Sequence, residues 1–269
     1  MIRRLARAAA ARFLVPRGSR REALWIGARL GVLTREGIHR LDERYYSGDG
    51  PQIDYAGDAH NTRGFLPWEG PVVQRFFAGC PRVLVLAAGG GREVLALRKM
   101  GIDADGYECH PGLAAFATGL LERHGVPGPV GVVGRDEAPR TGRRYDGVIV
   151  GWGAYMLIQG RARRVAFLRD LRALVGPGAP LLLSFFYRDG SRFRHALIGR
   201  AANALRRLRG REAIEDGDIL APNFIHLFTE DEVRAELRDG GFECVFYSTE
   251  GTGHAVGVAV DDRSTAAAG

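Results

Sequence analysis

A glycine-rich stretch and a distant acid carry the clearest chemical signal in the sequence. Residues 83–97 read VLVLAAGGGREVLAL, an apolar run followed by three glycines and a helix-like run. Gly89 and Gly91 lack Cβ atoms, so the chain can take a positive φ there and a ligand can approach the backbone closely. Glu108 follows nineteen residues after Gly89, and its carboxylate could accept hydrogen bonds from both hydroxyls of a ribose. This pair predicts a site for a nucleoside-containing ligand.

Two better-known glycine patterns are not met. The dinucleotide pattern G-x-G-x-x-G, counted from Gly89, places Val94 where the last glycine belongs. A phosphate-binding P-loop is excluded because the chain contains no Gly-Lys-Ser or Gly-Lys-Thr. An NAD-dependent oxidoreductase built on the same kind of sheet stays as an alternative function, although the failed third glycine speaks against it.

The elements that must hold these residues alternate along the chain. Short apolar runs predict strands, and amphipathic runs between them predict helices. The predicted strands are 83–86, 105–108, 130–133, 147–150, 181–187, 243–248 and 255–260. Strands that alternate with helices pair in parallel through right-handed crossovers. The fold class is therefore α/β, a doubly wound sheet that binds ligands beyond the carboxyl ends of its strands.

The ordered motifs resemble the class I S-adenosylmethionine-dependent methyltransferases. The resemblance covers roughly residues 72–260 and includes VLVLAAGGG, DGYECHPG, GRDEAP, YDGVIVGWGAYMLI and HLFTEDE in the order of that family. It implies a Rossmann-like, seven-stranded, mostly parallel sheet with an antiparallel last strand, a helical N-terminal extension and a helical lid insertion. It also implies S-adenosyl-L-methionine as the cofactor and methyl transfer as the activity.

The resemblance places the cofactor contacts in the loops that follow the first four strands. These positions are Ala87, Gly89, Gly91, Glu108, Cys109, Asp136, Gly151 and Trp152. Glu108 takes the place of the ribose-binding acid, and Cys109 and Asp136 lie on the adenine side. Arg63, in the loop before the first strand, is a candidate partner for the carboxylate of the cofactor.

Two positions depart from the family. Val85 stands where the family often has an acid, which removes one anchor for the methionine amino group. Ala87 stands where the family has its first glycine, which predicts a tighter turn at the amino-acid end of the cofactor. Neither departure changes the predicted fold.

The reaction itself asks little of the side chains. Methyl transfer from a sulfonium is an in-line displacement, so alignment matters most, and a base is needed only when the nucleophile carries a proton of high pKa. His226 and Tyr155 are the candidate catalytic residues, because an imidazole titrates near neutrality and Tyr155 follows the fourth strand. No metal site is predicted, since the three cysteines form no zinc pattern.

Charge is unevenly distributed and bears on partners. Residues 1–40 hold ten arginines and residues 188–211 hold eight, whereas the rest of the chain is acidic. This pattern argues against a nucleic-acid groove across the whole protein. It favours a small-molecule acceptor, with an anionic one allowed, methylated on oxygen or nitrogen. A basic N-terminal helix at a membrane surface is the weaker reading, and a non-catalytic cofactor-binding or membrane-associated protein is the third candidate function.

The predicted organisation is one domain with appendages. Residues 1–71 form a helical extension and a covering loop, which starts near residue 45. Residues 72–260 form the methyltransferase domain, in which residues 188–220 are the lid insertion, and residues 261–269 form a flexible tail. Within the insertion, one apolar helix face is predicted to carry Phe193, Leu197, Ala201, Leu205 and Leu208, with arginines elsewhere. No secretory signal or membrane-spanning run stands out, which predicts a cytoplasmic location.

Overall fold

The computed structural model describes residues 27–47, 54–126, 128–188, 196–220 and 222–261. The helix predicted for residues 1–14 and the predicted tail beyond residue 261 lie outside these ranges. The second predicted helix, over residues 20–33, is described from residue 27 and is helical to residue 32.

A seven-stranded sheet forms the centre of the protein, and a separate two-stranded hairpin lies apart from it. In chain order the strands are β1 (Arg82–Leu86), β2 (Asp103–Glu108), β3 (Val130–Val132), β4 (Gly147–Val150), β5 (Pro180–Phe185), β6 (Asp218–Leu220), β7 (Phe224–His226), β8 (Phe242–Ser248) and β9 (Gly253–Ala259). The large sheet has the order β3-β2-β1-β4-β5-β9-β8. Strands β1 to β5 pair in parallel, and β9 runs antiparallel to both β5 and β8. The predicted sheet class is confirmed.

Besides the helical residues 27–32, the described part of the chain contains eight helices. They are α1 (Arg35–Ser47), α2 (Asp58–Asn61), α3 (Glu69–Phe77), α4 (Arg92–Lys99), α5 (Pro111–Arg123), α6 (Arg161–Arg172), α7 (Ala196–Leu208) and α8 (Glu230–Asp239), with a 3-10 turn at Tyr155–Leu157. A capping box begins α8, in which the Thr229 hydroxyl accepts from the Glu232 N–H and the Glu232 carboxylate accepts from the Thr229 N–H. None of the described helices is long and apolar enough to cross a membrane.

Both faces of the sheet are covered, which explains the continuous apolar run of β1. Leu84 and Leu86 belong to the core cluster under α6 and α8, whereas Val83 and Val85 belong to the cluster under α3, α4 and α5. Alternate residues of a strand point to opposite faces, so a strand buried on both sides is apolar at every position. The carboxyl end of β1 is thereby fixed between two packed layers.

A third, smaller core joins the N-terminal extension to the insertion. Leu30 and Ile38 from the extension pack with Leu220 and Phe224 from the hairpin. The predicted apolar face of α7 is wrong, because Leu208 is exposed and Arg206 is buried. The Arg206 guanidinium donates to the main-chain oxygens of Leu30 and Leu33, at 2.5 and 3.0 Å, and this ties α7 to the extension.

The segment predicted as a loop over residues 45–71 contains more regular structure than expected. Helix α1 runs on to Ser47, α2 occupies part of the segment, and α3 begins at Glu69. The side chain of Asn61 closes the turn before α2 by donating to the main-chain oxygens of Tyr55 and Gly57, each at 2.9 Å. Residues 54–61 therefore form an ordered cover, here called the covering segment.

Candidate functional site

The sheet order creates a crevice at the carboxyl ends of β1 and β4. These two strands are neighbours, yet the chain leaves β1 towards β2 and leaves β4 towards β5. At such a switch point the loops diverge and leave space for a ligand. The glycine-rich loop follows β1, and Gly151 and Trp152 follow β4, so both predicted motifs meet at this crevice.

The backbone after β1 makes the left-handed bend that glycine permits. Gly89 has φ of 53° and Gly91 has φ of 94°. A Cβ placed on Gly89 would have no atom within 4 Å, so the space beside this residue is open. Gly91 is the N-cap of α4, whose first N–H groups have no partner within the helix.

Ala87 adopts the same left-handed conformation, with φ of 51°. An L-residue pays roughly 1–2 kcal/mol for this region, and the glycine that the family has here would not. Its carbonyl oxygen would lie 2.2 Å from a Cβ on Gly151. Position 151 therefore requires glycine, because the turns after β1 and β4 touch through their backbones.

Glu108 turns towards the glycine bend. Its Oε2 accepts from the Gly89 N–H at 2.8 Å and its Oε1 accepts from the His110 N–H at 2.9 Å. The side chain is 5% exposed. A carboxylate has about four acceptor sites, so these two bonds leave capacity for hydroxyl groups of a ligand. The acid therefore lies directly next to the bend at Gly89.

The two adenine-side positions differ in their surroundings. Cys109 is exposed, and its thiol lies 3.4 Å from Glu108 Oε1. The Asp136 carboxylate accepts from Arg35 of α1 at 2.8 Å, and Asp136 itself has φ of 62°. The acid predicted near the adenine is therefore tied to the N-terminal extension.

Two further predicted cofactor contacts are Trp152, in the turn after β4, and Arg63, in the connection before α3. Trp152 is half-buried, and its ring meets that of Phe186 edge to face with centroids 6.3 Å apart. Arg63 is exposed and makes no hydrogen bond or ion pair with any described residue. Burial, together with the cations of Arg92 and Arg63, lowers the pKa of the nearby His60 to about 4.

The covering segment and the end of α1 form an aromatic wall beside the glycine loop. The rings of Tyr45, Tyr46, Tyr55 and His60 follow one another edge to face, with successive centroids 5.2, 5.7 and 5.6 Å apart. A Cβ on Gly90 would lie 2.3 Å from the Tyr55 main-chain oxygen. The middle glycine of the loop is therefore required by this close packing.

Sequence reasoning missed a buried ion cluster at the start of α4. Both nitrogens of the Arg92 guanidinium donate to the Glu69 carboxylate, one of them at 2.8 Å, and Nη2 also donates to Glu93 at 2.5 Å. The only signal in the sequence was an Arg-Glu pair directly after the glycines, which reads equally well as an exposed first turn of a helix.

The two candidate catalytic residues lie on the same side of the sheet and are both enclosed. The Tyr155 hydroxyl donates to Glu236 at 2.7 Å, and Arg164 pairs with that same carboxylate. Burial raises the pKa of Tyr155 well above its usual value. Its ring stacks on Phe228, so Tyr155 packs within the core.

His226 lies on β7 and is 1% exposed. Its Nδ1 is 2.8 Å from Asp218 Oδ1, while its buried Nε2 has no hydrogen-bond partner in the described part of the chain. An Nδ1–H held by a carboxylate leaves the Nε2 lone pair free. The contact with Asp218 thus allows the tautomer with its proton on Nδ1, whereas the Tyr155 hydroxyl is already bound to Glu236.

Glu215, Asp218 and His226 form one group that could hold a metal ion, with ligand atoms within 4.8 Å of one another. Arg164 donates to Glu215 Oε2 at 2.8 Å, so a guanidinium already compensates this acid. A metal ion would have to compete with that ion pair, and we assign no metal to the group.

Comparisons with known proteins place this geometry in a fold. No family model matches the sequence, and no curated protein matches it either. Among solved structures, it is similar to an amino pentose methyltransferase from Micromonospora echinaspora with S-adenosylmethionine bound (17% identity, 79% of this chain and 100% of that chain, TM-score 0.55). A sugar N-methyltransferase from Streptoalloteichus is also similar (19% identity, 82% of this chain and 93% of that chain, TM-score 0.54).

A third similar structure is the 1,6-didemethyltoxoflavin-N1-methyltransferase of Burkholderia thailandensis, which contains its substrate and S-adenosylhomocysteine (18% identity, 86% of this chain and 92% of that chain, TM-score 0.55). At this level of identity the likeness shows the fold, and the sheet order and glycine bend described above agree with it. The protein has the fold of the class I S-adenosylmethionine-dependent methyltransferases.

Proposed function

We propose that the protein is an S-adenosylmethionine-dependent methyltransferase that methylates an oxygen or nitrogen of a small molecule. The observation that carries the proposal is the Glu108 carboxylate, which accepts from the Gly89 N–H at 2.8 Å and so lies next to the open space beside that residue. A carboxylate across a bare backbone bend is the arrangement that receives a ribose in sheets of this kind. The similarity in fold to three small-molecule methyltransferases supports the same reading.

The residues present fit the cofactor. The Glu108 carboxylate can accept further hydrogen bonds from ribose hydroxyls. The exposed Arg63 makes no ion pair with a described residue, so its guanidinium can pair with the carboxylate of the cofactor. The start of α4 offers N–H groups with no helical partner. When bound, S-adenosylmethionine supplies a methyl group already activated by its sulfonium.

The chain itself would supply alignment, enclosure and, where needed, a base. Trp152 and the aromatic wall border the crevice and can exclude water. His226 is the proposed general base, because Asp218 orients its ring and its Nε2 is free. A nitrogen nucleophile that is already unprotonated would not need this base.

The acceptor class is proposed from the fold relatives and the cover. Two of the similar structures act on amino or nitrogen-bearing sugars and one on a heteroaromatic nitrogen, by their names. An extension that closes over the glycine loop suits a small acceptor better than a polymer. Basic residues near the crevice, among them Arg35 and Arg63, allow an anionic acceptor.

An NAD-dependent oxidoreductase is the weaker alternative. The two-half sheet that binds dinucleotides continues in parallel beyond its fifth strand. Here β9 inserts antiparallel between β5 and β8, so a second mononucleotide-binding half is not formed by the described strands. The other alternative is a non-catalytic cofactor-binding or membrane-associated protein. Detection of a methylated acceptor would rule it out.

The test is a methyl-transfer assay with methyl-labelled S-adenosylmethionine across small amines, aminosugars, phenols and hydroxy acids. The proposal expects label in at least one small-molecule product, with S-adenosylhomocysteine formed in equal amount. Hydride transfer from NADH to a carbonyl panel, with no affinity for S-adenosylhomocysteine, would contradict it.

The base role is tested in the same assay with His226→Asn. The asparagine amide can still donate to Asp218, whereas the acceptor nitrogen Nε2 is lost. For an alcohol or phenol acceptor, kcat should fall by about 100-fold or more, with the affinity for S-adenosylhomocysteine unchanged. A kcat that stays near the wild-type value would show that His226 is structural.

A further inference from the structure

Helix α7 has one packed side and one side that no described residue covers. Ala202 and Arg206 are buried, and a Cβ on Gly31 of the extension would lie 3.4 Å from the Ala202 Cα, so this side faces the protein. On the opposite side, spacings of one, three and four residues bring a set of exposed positions together. This set, here called the α7 surface, consists of Arg200, Ala201, Ala204, Arg207 and Leu208.

The charge of the α7 surface is positive and is not compensated by described residues. Residues 196–211 contain five arginines and no acid. The side chains of Arg200 and Arg207, and of Arg209 just beyond the helix, are exposed and make no ion pair within the described part of the chain. The next acid along the chain, Glu212, is engaged in an ion pair with a residue outside α7. An anionic partner would therefore be attracted to this side of the molecule.

Two apolar side chains are exposed at the C-terminal end of the same surface. Leu208 is 86% exposed, more than any other large apolar side chain in the described ranges, and Val32 of the extension is 48% exposed. The Arg211 guanidinium donates to the main-chain oxygen of Val32, which brings Val32 to the end of α7 where Leu208 lies. A partner that offers both negative charge and an apolar layer would cover all of these groups.

The chemistry of the α7 surface favours a lipid layer over other anionic partners. Arginines beside an exposed leucine are typical of a helix that lies in the interface of a membrane. Proteins that bind single-stranded nucleic acid stack bases on aromatic rings, and the α7 surface has none. The neighbouring amide, Asn203, is occupied at both polar atoms by the main chain of Ile214. A second copy of the chain would bring like charges together, which is unfavourable.

The helix is already formed and is held by the rest of the protein. Arg206 donates to the main-chain oxygens of Leu30 and Leu33, at 2.5 and 3.0 Å, and Arg211 adds its bond to Val32. A surface that is ordered before binding loses little conformational entropy when it docks. The α7 surface can therefore bind as a rigid face together with the extension.

We propose that the α7 surface docks the protein onto an anionic lipid bilayer. Leu208 and Val32 enter the interface, and the guanidinium groups of Arg200, Arg207 and Arg209 meet the lipid phosphates. Such docking is peripheral and reversible, and it weakens as salt screens the charges. The inference goes beyond the proposed function and does not depend on it.

The test is sedimentation of the full chain with vesicles of phosphatidylcholine alone or mixed with phosphatidylglycerol. The wild type should bind the mixed vesicles about 10-fold or more tightly than the neutral ones, and less tightly as salt rises from about 0.1 to about 0.5 M. The double variant Arg207→Gln/Leu208→Gln should weaken binding to the mixed vesicles by about 10-fold or more. Equal binding to both kinds of vesicle, or to neither, would overturn the inference.

The matched control is the double variant Lys99→Gln/Met100→Gln. It removes one cation and one apolar side chain that is 53% exposed, at the end of α4. Its affinity for the mixed vesicles should stay within about 2-fold of the wild type. Equal loss in both double variants, or an unchanged affinity in Arg207→Gln/Leu208→Gln, would overturn the assignment to the α7 surface. The affinity for S-adenosylhomocysteine should be the same in the wild type and both variants, which separates this test from that of the proposed function.

A second measurement distinguishes lipid from nucleic acid. Leu208→Trp should show a blue-shifted emission relative to the wild type with mixed vesicles, and its emission should be quenched by brominated lipids, because the side chain leaves water. Met100→Trp should show neither effect. No shift in Leu208→Trp with vesicles, with a shift on addition of a single-stranded oligonucleotide instead, would overturn the inference in favour of a nucleic acid.

Discussion

Single residues show how much chemistry a glycine bend and one acid can encode. Gly89 and Glu108 were predicted to meet from their types and spacing, and the structure joins them by a hydrogen bond of 2.8 Å. Their binding role remains a proposal. Glu93 could not be identified in this way, because a glutamate in the first turn of a helix is also what the helix dipole favours on a solvated surface. Only its burial beside Arg92 separates the two cases.

Gly89 offers a prediction that separates backbone strain from ligand binding. Gly89→Ala places a side chain in the open space at a φ of 53°, and Gly101→Ala does the same at a φ of 82°, each with no atom within 4 Å. Both variants should lose roughly 1–2 kcal/mol of unfolding free energy, measured by urea titration. Only Gly89→Ala should weaken S-adenosylhomocysteine, because Gly101 lies at the far end of α4. Equal affinity in the two variants would argue against a ligand at the bend.

Elements that alternate as strand and helix were predictable, and the hairpin outside that alternation was not. The strand β1 and the capping box of α8 follow from apolar runs and from Thr229 and Glu232. The strands β6 and β7 have three residues each, too few for a period of two to show, and no helix separates them, whereas the equally short β3 lies within the alternating order. The buried face of α7 was mispredicted, since the carbonyl partners of Arg206 lie in the N-terminal extension.

The contact between α1 and β7 leads to a prediction of how the free energy of unfolding depends on pH. Asp42 on α1 is completely buried and accepts from the Phe224 N–H at 2.9 Å and from Arg135 at 3.2 Å. Burial raises its pKa from 3.8 to about 6, against the opposing effects of these two donors. The folded protein therefore binds this proton more tightly than the unfolded chain does. Above about pH 6 the buried, ionised Asp42 lowers the free energy of unfolding, and this loss of stability disappears as pH falls towards about 4.

The matched variant Asp42→Asn has no such proton. The unfolding free energy of the wild type relative to Asp42→Asn should rise by about 3 kcal/mol as pH falls from about 7 to about 4. Urea titrations of both proteins at several pH values would measure this difference. Parallel curves for the two proteins would show that Asp42 is not protonated in this window.

Across the whole molecule, the sheet was predictable and the arrangement of the appendages was not. Alternating strands and helices specify a doubly wound sheet, because crossovers are right-handed and consecutive elements lie close together. The extension and the insertion meet through Leu30, Ile38, Leu220 and Phe224, which are far apart in sequence and belong to no periodic pattern. The same holds for the bond from Arg35 to Asp136, which joins α1 to the acid that the family resemblance predicts near the adenine.

The central physical claim concerns the carboxyl ends of β1 and β2. The acid at the end of β2 and the bare bend at the end of β1 meet beside an open space, and we propose that this space receives a nucleoside. Every proposed role in methyl transfer depends on a ligand whose ribose contacts Glu108 next to this bend. A measurement of that contact therefore tests the proposed function.

The most direct measurement is calorimetric titration of the wild type and of Glu108→Ala with S-adenosylhomocysteine, and of the wild type with NAD. The account predicts that the wild type binds S-adenosylhomocysteine in preference to NAD, and that Glu108→Ala loses about 1–3 kcal/mol of binding free energy while its circular dichroism spectrum is retained. An unchanged dissociation constant in the folded variant, or a wild type that binds NAD instead, would contradict it.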